Sequence, residues 1–210
     1  MTSGWRSVDG RRLLRIAVIV VCAALLVFVV RVPMRFDASG VKKLVLNGGA
    51  LTLTHGGDPS LVARVPLAFA PFLLVRRTGE LLELGGVDDT DPRILLVGLF
   101  PPLDVSALAS STSWELRSDE VEHVTLSGAT FVADRYQSDV LAVLALSGNA
   151  DLRAVDVGTL ALFAQPGATI LASGSAERLS VMDSDGEIDV ETLEYGSSDP
   201  EIITEMIEHQ

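Results

Sequence analysis

Four glycines recur at near-equal intervals in the C-terminal half of the chain: Gly128, Gly148, Gly167 and Gly186, at spacings of 20, 19 and 19 residues. Aligning on them gives four copies, VTLSGATFV, LALSGNADL, FAQPGATIL and MDSDGEIDV. Seven residues before each glycine stand Val121, Leu141, Leu160 and Leu179. Four before it stand Val124, Leu144, Phe163 and Met182, and four after it Val132, Leu152, Leu171 and Val190. This period is too short for paired helices and too irregular for a leucine-rich repeat. It predicts a β-solenoid, with short strands stacked in parallel and the aligned apolar positions inside. The glycine would sit at a bend, where positive φ or close backbone approach excludes a side chain. The competing reading is a β-sandwich with unusually regular hairpins.

Upstream, from about residue 41, short alternating runs such as Leu44-Val45-Leu46, Leu51-Thr52-Leu53-Thr54 and Ile94-Leu95-Leu96-Val97 also read as strands. Asn47-Gly48-Gly49, His55-Gly56-Gly57, Gly85-Gly86 and Asp88–Pro92 separate them as turns. Only the end reads as helix. Ser198-Asp199-Pro200-Glu201 has the chemistry of a helix start, and Ile202, Ile203, Met206 and Ile207 would form one apolar face. A short helix over 197–210 is expected to cap the open end of the solenoid.

The N-terminal part is different. Ile16 to Val30 is a run of fifteen residues without a polar side chain. Extended over Leu13 to Met34, it is long enough to cross a bilayer if Arg15 and Arg31 reach the interfaces. The expected organisation is a basic cytoplasmic tail over 1–15, a transmembrane signal anchor over 16–34 and a β-solenoid over 41–196. Ala38-Ser39-Gly40 is the only nearby candidate for signal cleavage, so an uncleaved anchor is favoured over a secreted form. The short tail would stay in the cytoplasm and the long remainder would lie outside.

Charge divides at the same place. Residues 1–34 hold five arginines and one acid, whereas residues 35–210 hold eleven basic side chains against 27 acids, a net of −16. That excess argues against nucleic acid as a partner. One cysteine, Cys22, excludes an intramolecular disulfide framework and a multi-cysteine zinc site.

No catalytic constellation emerges. There is no Gly-x-Ser-x-Gly elbow, and neither His55 nor His123 has a histidine at metal-ligand spacing. His55 reads as a turn residue, His123 as an exposed strand residue and His209 as part of a frayed end. Within the stretch Asp183 to Glu191, the core Asp183 to Asp189 mimics positions 3 to 9 of a calcium loop, but Val181 and Thr192 stand where the first aspartate and the bidentate glutamate belong. It reads as a solvated strand face. Sugar platforms need aromatic faces, and the domain offers only Trp114, Tyr136, Tyr195 and a few phenylalanines. No catalytic, cofactor-binding or metal residues are therefore assigned, and no cofactor is expected.

The order of elements resembles the head GIN domain, a family of bacterial envelope proteins also called "putative auto-transporter adhesin". The residues concerned are VKKLVLNGGALTLTHGGDPSLVARV, RTGELLEL, RILLVGLFPPL and the serial elements beginning at Val124-Thr125-Leu126-Ser127-Gly128-Ala129. Phe100-Pro101-Pro102, Pro166 and Asp185 depart from the family pattern. The resemblance implies a right-handed parallel β-helix at the cell envelope and no established catalytic residues. The combined expectation is an all-β, non-catalytic envelope module, held in the lipid bilayer by an N-terminal helix and displayed for binding, structural presentation or adhesion. Its partner would be an envelope protein or polysaccharide. The alternatives are an envelope polysaccharide-processing enzyme and a self-associating scaffold.

Overall fold

A computed structural model describes residues 30–66, 70, 73–87, 112–182 and 185–198. They form eleven strands: β1 (Arg31–Asp37), β2 (Lys43–Thr54), β3 (Ser60–Pro66), β4 (Leu73–Thr78), β5 (Leu81–Val87), β6 (Ser113–Arg117), β7 (His123–Asp134), β8 (Gln137–Ala145), β9 (Gly148–Ala164), β10 (Ala168–Met182) and β11 (Glu187–Ser198). One sheet contains them all, in the order β1-β3-β6-β2-β7-β8-β9-β10-β11, with β5 against β2 and β4 against β5.

The glycine period sets the register of the last strands. Ala129 of β7 lies beside Gly148 of β9, Gly148 beside Ala168 of β10, and Thr169 beside Glu187 of β11, all in parallel pairs. The column Val121, Leu141, Leu160 and Leu179 is buried throughout. Upstream, Leu44, Leu46, Leu51 and Leu53 of β2 point into the same core, because each alternates with a side chain on the opposite face. Trp114, Tyr136 and Phe131 are its largest buried members. The Tyr136 hydroxyl, fully enclosed, donates a hydrogen bond to the Val121 carbonyl at 2.8 Å.

All-β stands, but the expected right-handed parallel β-helix is corrected to a mixed sheet. β1–β3, β3–β6 and β4–β5 pair antiparallel. The cause is connection length. Residues 79–80 join β4 to β5, too few for the crossover a parallel pair requires, and residues 55–59 reverse the chain so that β3 runs opposite to β2 and to β6, which lies between them and is parallel to β2. Asn47-Gly48-Gly49, expected to be a turn between strands, instead lies within β2, where Gly48 and Gly49 take φ of 80° and 81° and bend a continuous strand.

The two expected helices are corrected where the described residues reach them. No helix among the described residues is long and apolar enough to cross a membrane. Arg31–Met34, assigned to the end of a transmembrane anchor, belong to β1. The segment Arg31-Val32-Pro33-Met34-Arg35-Phe36-Asp37 has period two, exposed at every odd position, and Pro33 is tolerated because β1 is an edge strand, first in the sheet order. Residues 1–29 lie outside the described residues. So does most of the expected C-terminal capping helix: Ser197 and Ser198 end β11, and 199–210 are not among the residues described.

Candidate functional site

The first three strands in sheet order carry an outward-facing groove of about 620 Å³ lined by Arg31, Pro33, Arg35, Ser60, Val62, Arg64, Glu115 and Arg117. Its composition follows from alternation. While Met34 and Phe36 of β1 pack against the core, Arg31, Pro33 and Arg35 face out. Leu61, Ala63 and Val65 of β3, with Trp114 and Leu116 of β6, fill the interior. That turns Arg64, Glu115 and Arg117 to solvent.

Cross-strand pairing gathers these positions. Pro33 stands opposite Arg64 and Arg35 opposite Val62. Val62 faces Glu115, and Ser60 faces Arg117. Arg64 and Glu115 form an ion pair at 3.0 Å with both side chains more than half exposed. Arg31, Arg35 and Arg117 have no carboxylate partner among the described residues. Four guanidinium groups thus share one groove with one carboxylate, in a chain whose formal charge is −12. Such a concentration of donors suits an anion with several oxygens, since each guanidinium offers a fixed fork of N–H groups.

The groove is one end of a longer surface. A single row of cross-strand neighbours runs Arg35, Val62, Glu115, Thr52, Val132, Asp151, Leu171 and Asp189. At the far end β11 exposes Glu187, Asp189, Glu191 and Glu194. One face of one sheet is therefore cationic at β1 and anionic at β11.

The residues weighed from the sequence lie elsewhere. Exposed His55 sets its ring edge-on to Tyr136, centroids 6.1 Å apart. His123 was expected to be an exposed strand residue. It is half-buried on β7, and its Nδ1 has no hydrogen-bond partner among the described residues. Burial lowers its pKa from the ordinary histidine value, helped by Lys43 and opposed by Glu122. His209, Asp183 and Ser184 lie outside the described residues. Of the acidic stretch, Asp189 accepts the Glu191 amide at 2.9 Å, a contact within its own strand. Among the described residues no three His, Cys, Asp or Glu side chains converge as a metal site. A second, smaller depression of about 370 Å³ over β9, β10 and β11 includes Asp156 and Glu177, with the Ser175 hydroxyl donating to Asp156 at 2.8 Å.

None of the four groove arginines was marked as a site residue by the sequence. The available signal was the two-residue alternation from Arg31 to Asp37, obscured because Arg31 follows the apolar run directly and reads as its interfacial flank.

No protein-family model matches the chain, and no curated protein matches it. Among solved structures the chain is similar to a "putative adhesin" from Bacteroides fragilis, with a TM-score of 0.65 at 13% identity, covering 80% of this chain and 74% of that one. It is similar to a "putative adhesin" from Parabacteroides merdae, with a TM-score of 0.56 at 16% identity, covering 80% and 75%. A "putative lipid binding protein" from Parabacteroides distasonis gives 0.56 at 11% identity, covering 80% and 76%. At these identities the likeness is one of fold.

Proposed function

We propose that the chain is a non-catalytic, membrane-attached module of a bacterial envelope that presents its sheet outside the cytoplasm for binding, adhesion being one form of that role. The observation that carries the reading is the arginine-lined groove. Among the described residues its polar groups are four guanidiniums, Glu115 and Ser60, a set that holds an anion by charge and hydrogen bonds. Attachment is supported by the apolar run Ile16–Val30. Display is supported by the names of the structures that share the fold, two called "putative adhesin" and one "putative lipid binding protein". The sequence elements that resemble the head GIN domain point the same way.

Cell fractionation tests the attachment. The chain should stay in the membrane pellet after alkaline carbonate washing, and deletion of Ile16–Val30 should release it. A reporter active only outside the cytoplasm, fused after Gln210, should give signal; activity solely from a cytoplasmic reporter would overturn the orientation. Purified chain in neutral detergent should co-sediment with isolated envelopes, and an absence of binding would remove the display role.

A further inference from the structure

We infer that the groove formed by β1, β3 and β6 binds the phosphate of anionic lipid headgroups, so that the domain rests with this end of its sheet on the bilayer. The inference rests on the proposed membrane attachment and specifies what the groove does there.

Three observations meet. The first is charge: Arg31, Arg35 and Arg117 are unpaired among the described residues, and Arg64 spends one side on Glu115. Guanidinium groups left in one groove without carboxylates repel one another, and an oxyanion relieves that repulsion while accepting their N–H groups.

The second is position. Arg31 directly follows Val30, the last residue of the apolar run. Hydrocarbon gives way to a headgroup layer about 5–8 Å thick on each side. A chain leaving the hydrocarbon at Val30 therefore enters the phosphate layer at Arg31, and Arg35, about 14 Å farther along the strand, stays within that layer when β1 runs along the surface, as a domain resting on this end of its sheet requires. Arg64 and Arg117 come to the same place by pairing across the sheet.

The third is the opposite end. β11 exposes Glu187, Asp189, Glu191 and Glu194, which an anionic surface repels. Of the two ends of the sheet, the β1 end is therefore the one that an anionic surface attracts. A soluble phosphate would use the same donors but would not explain why the groove includes the residue that follows the apolar run in the sequence.

Native mass spectrometry of the full chain, released from neutral detergent with added lipid, tests this. The intact chain should retain phosphatidylglycerol at least tenfold better than phosphatidylcholine, with the preference weakening in high salt. The triple variant R31Q/R35Q/R117Q should lose that preference while melting at the same temperature. Arg6, Arg11, Arg12 and Arg15 also carry charge near the apolar run, so R6Q/R11Q/R12Q/R15Q serves as the control and should keep most of the preference. Equal lipid selectivity in the groove variant and the intact chain would overturn the inference. So would displacement of lipid by millimolar inorganic phosphate, which would make a soluble phosphate the ligand. Oligomers abolished by R31Q/R35Q/R117Q, without lipid selectivity, would assign the groove to the acidic β11 of another copy and also overturn it. The triple variant keeps its apolar run and should remain in the membrane pellet, so failure of attachment and failure of headgroup binding are read separately.

Discussion

Gly148 lies directly against the backbone of Ala129: a β-carbon on it would fall 2.7 Å from the Ala129 amide nitrogen and closer still to its carbonyl oxygen. Its φ of 98° is also in the region that side chains avoid. Strand β9 can therefore begin beside β7 only because this position is glycine. Gly128 differs, since its φ is 63° but a β-carbon there would meet open space.

Gly148→Val is expected to destabilise the domain by about 3 kcal/mol or more, adding backbone displacement to φ strain. Gly128→Ala should cost only about 1 kcal/mol, from φ alone. Chemical denaturation of both variants measures the difference, and equal losses would contradict the close approach at Gly148.

Removing the Tyr136 hydroxyl leaves the Val121 carbonyl without that donor inside the core. Tyr136→Phe should lower stability by about 1–3 kcal/mol, the cost of an unsatisfied buried acceptor. The edge contact with His55 is kept by phenylalanine, so His55→Ala should cost less, about 1 kcal/mol at most. A neutral Tyr136→Phe would show that water reaches Val121.

Burial holds the His123 pKa below 6.5, so its imidazole is more readily protonated in the unfolded chain than in the folded one. Stability should consequently be greatest above the unfolded value of 6.5 and fall as pH drops through the interval down to the folded value. His123→Gln should flatten that part of the profile. Melting temperatures recorded from pH 7.5 to 5 decide it; an unchanged slope in the variant would place the titrating group elsewhere.

The groove arginines should contribute little to folding. Arg64 and Glu115 are mostly exposed, and Glu115→Gln is expected to change stability by less than about 1 kcal/mol. Arg35→Gln should leave the melting temperature unchanged or raise it slightly at low salt, because it removes like-charge repulsion. A marked loss would mean that these arginines hold β1 in place.

The repeat was legible where glycine and an apolar column coincide, and misleading where the chain bulges. Leu141 neighbours Leu160, which neighbours Leu179, all buried. The column four residues after the glycine fails: Leu152 is buried, whereas Leu171 is 44% exposed beside Asp151 and Asp189. Gly148 pairs with Ala168, one residue past the glycine of the next copy, and one residue of slip sends a side chain to the opposite face. The antiparallel end was harder to see, because residues 55–117 carry no period and their short turns alone decide direction. The groove was hidden for a related reason. Its residues are scattered over three strands, and only the register places Arg35 in line with Val62 and Glu115, and Arg117 beside Ser60.

The row from Arg35 to Asp189 crosses the sheet from cation to anion. A body charged in this way experiences torque as well as force in a field. Within about a Debye length, 8 Å at physiological salt, a negative surface would turn β1 toward itself and swing β11 away. Orientation would then begin before the first side chain touches, and a tethered domain would spend less of its time searching wrong poses.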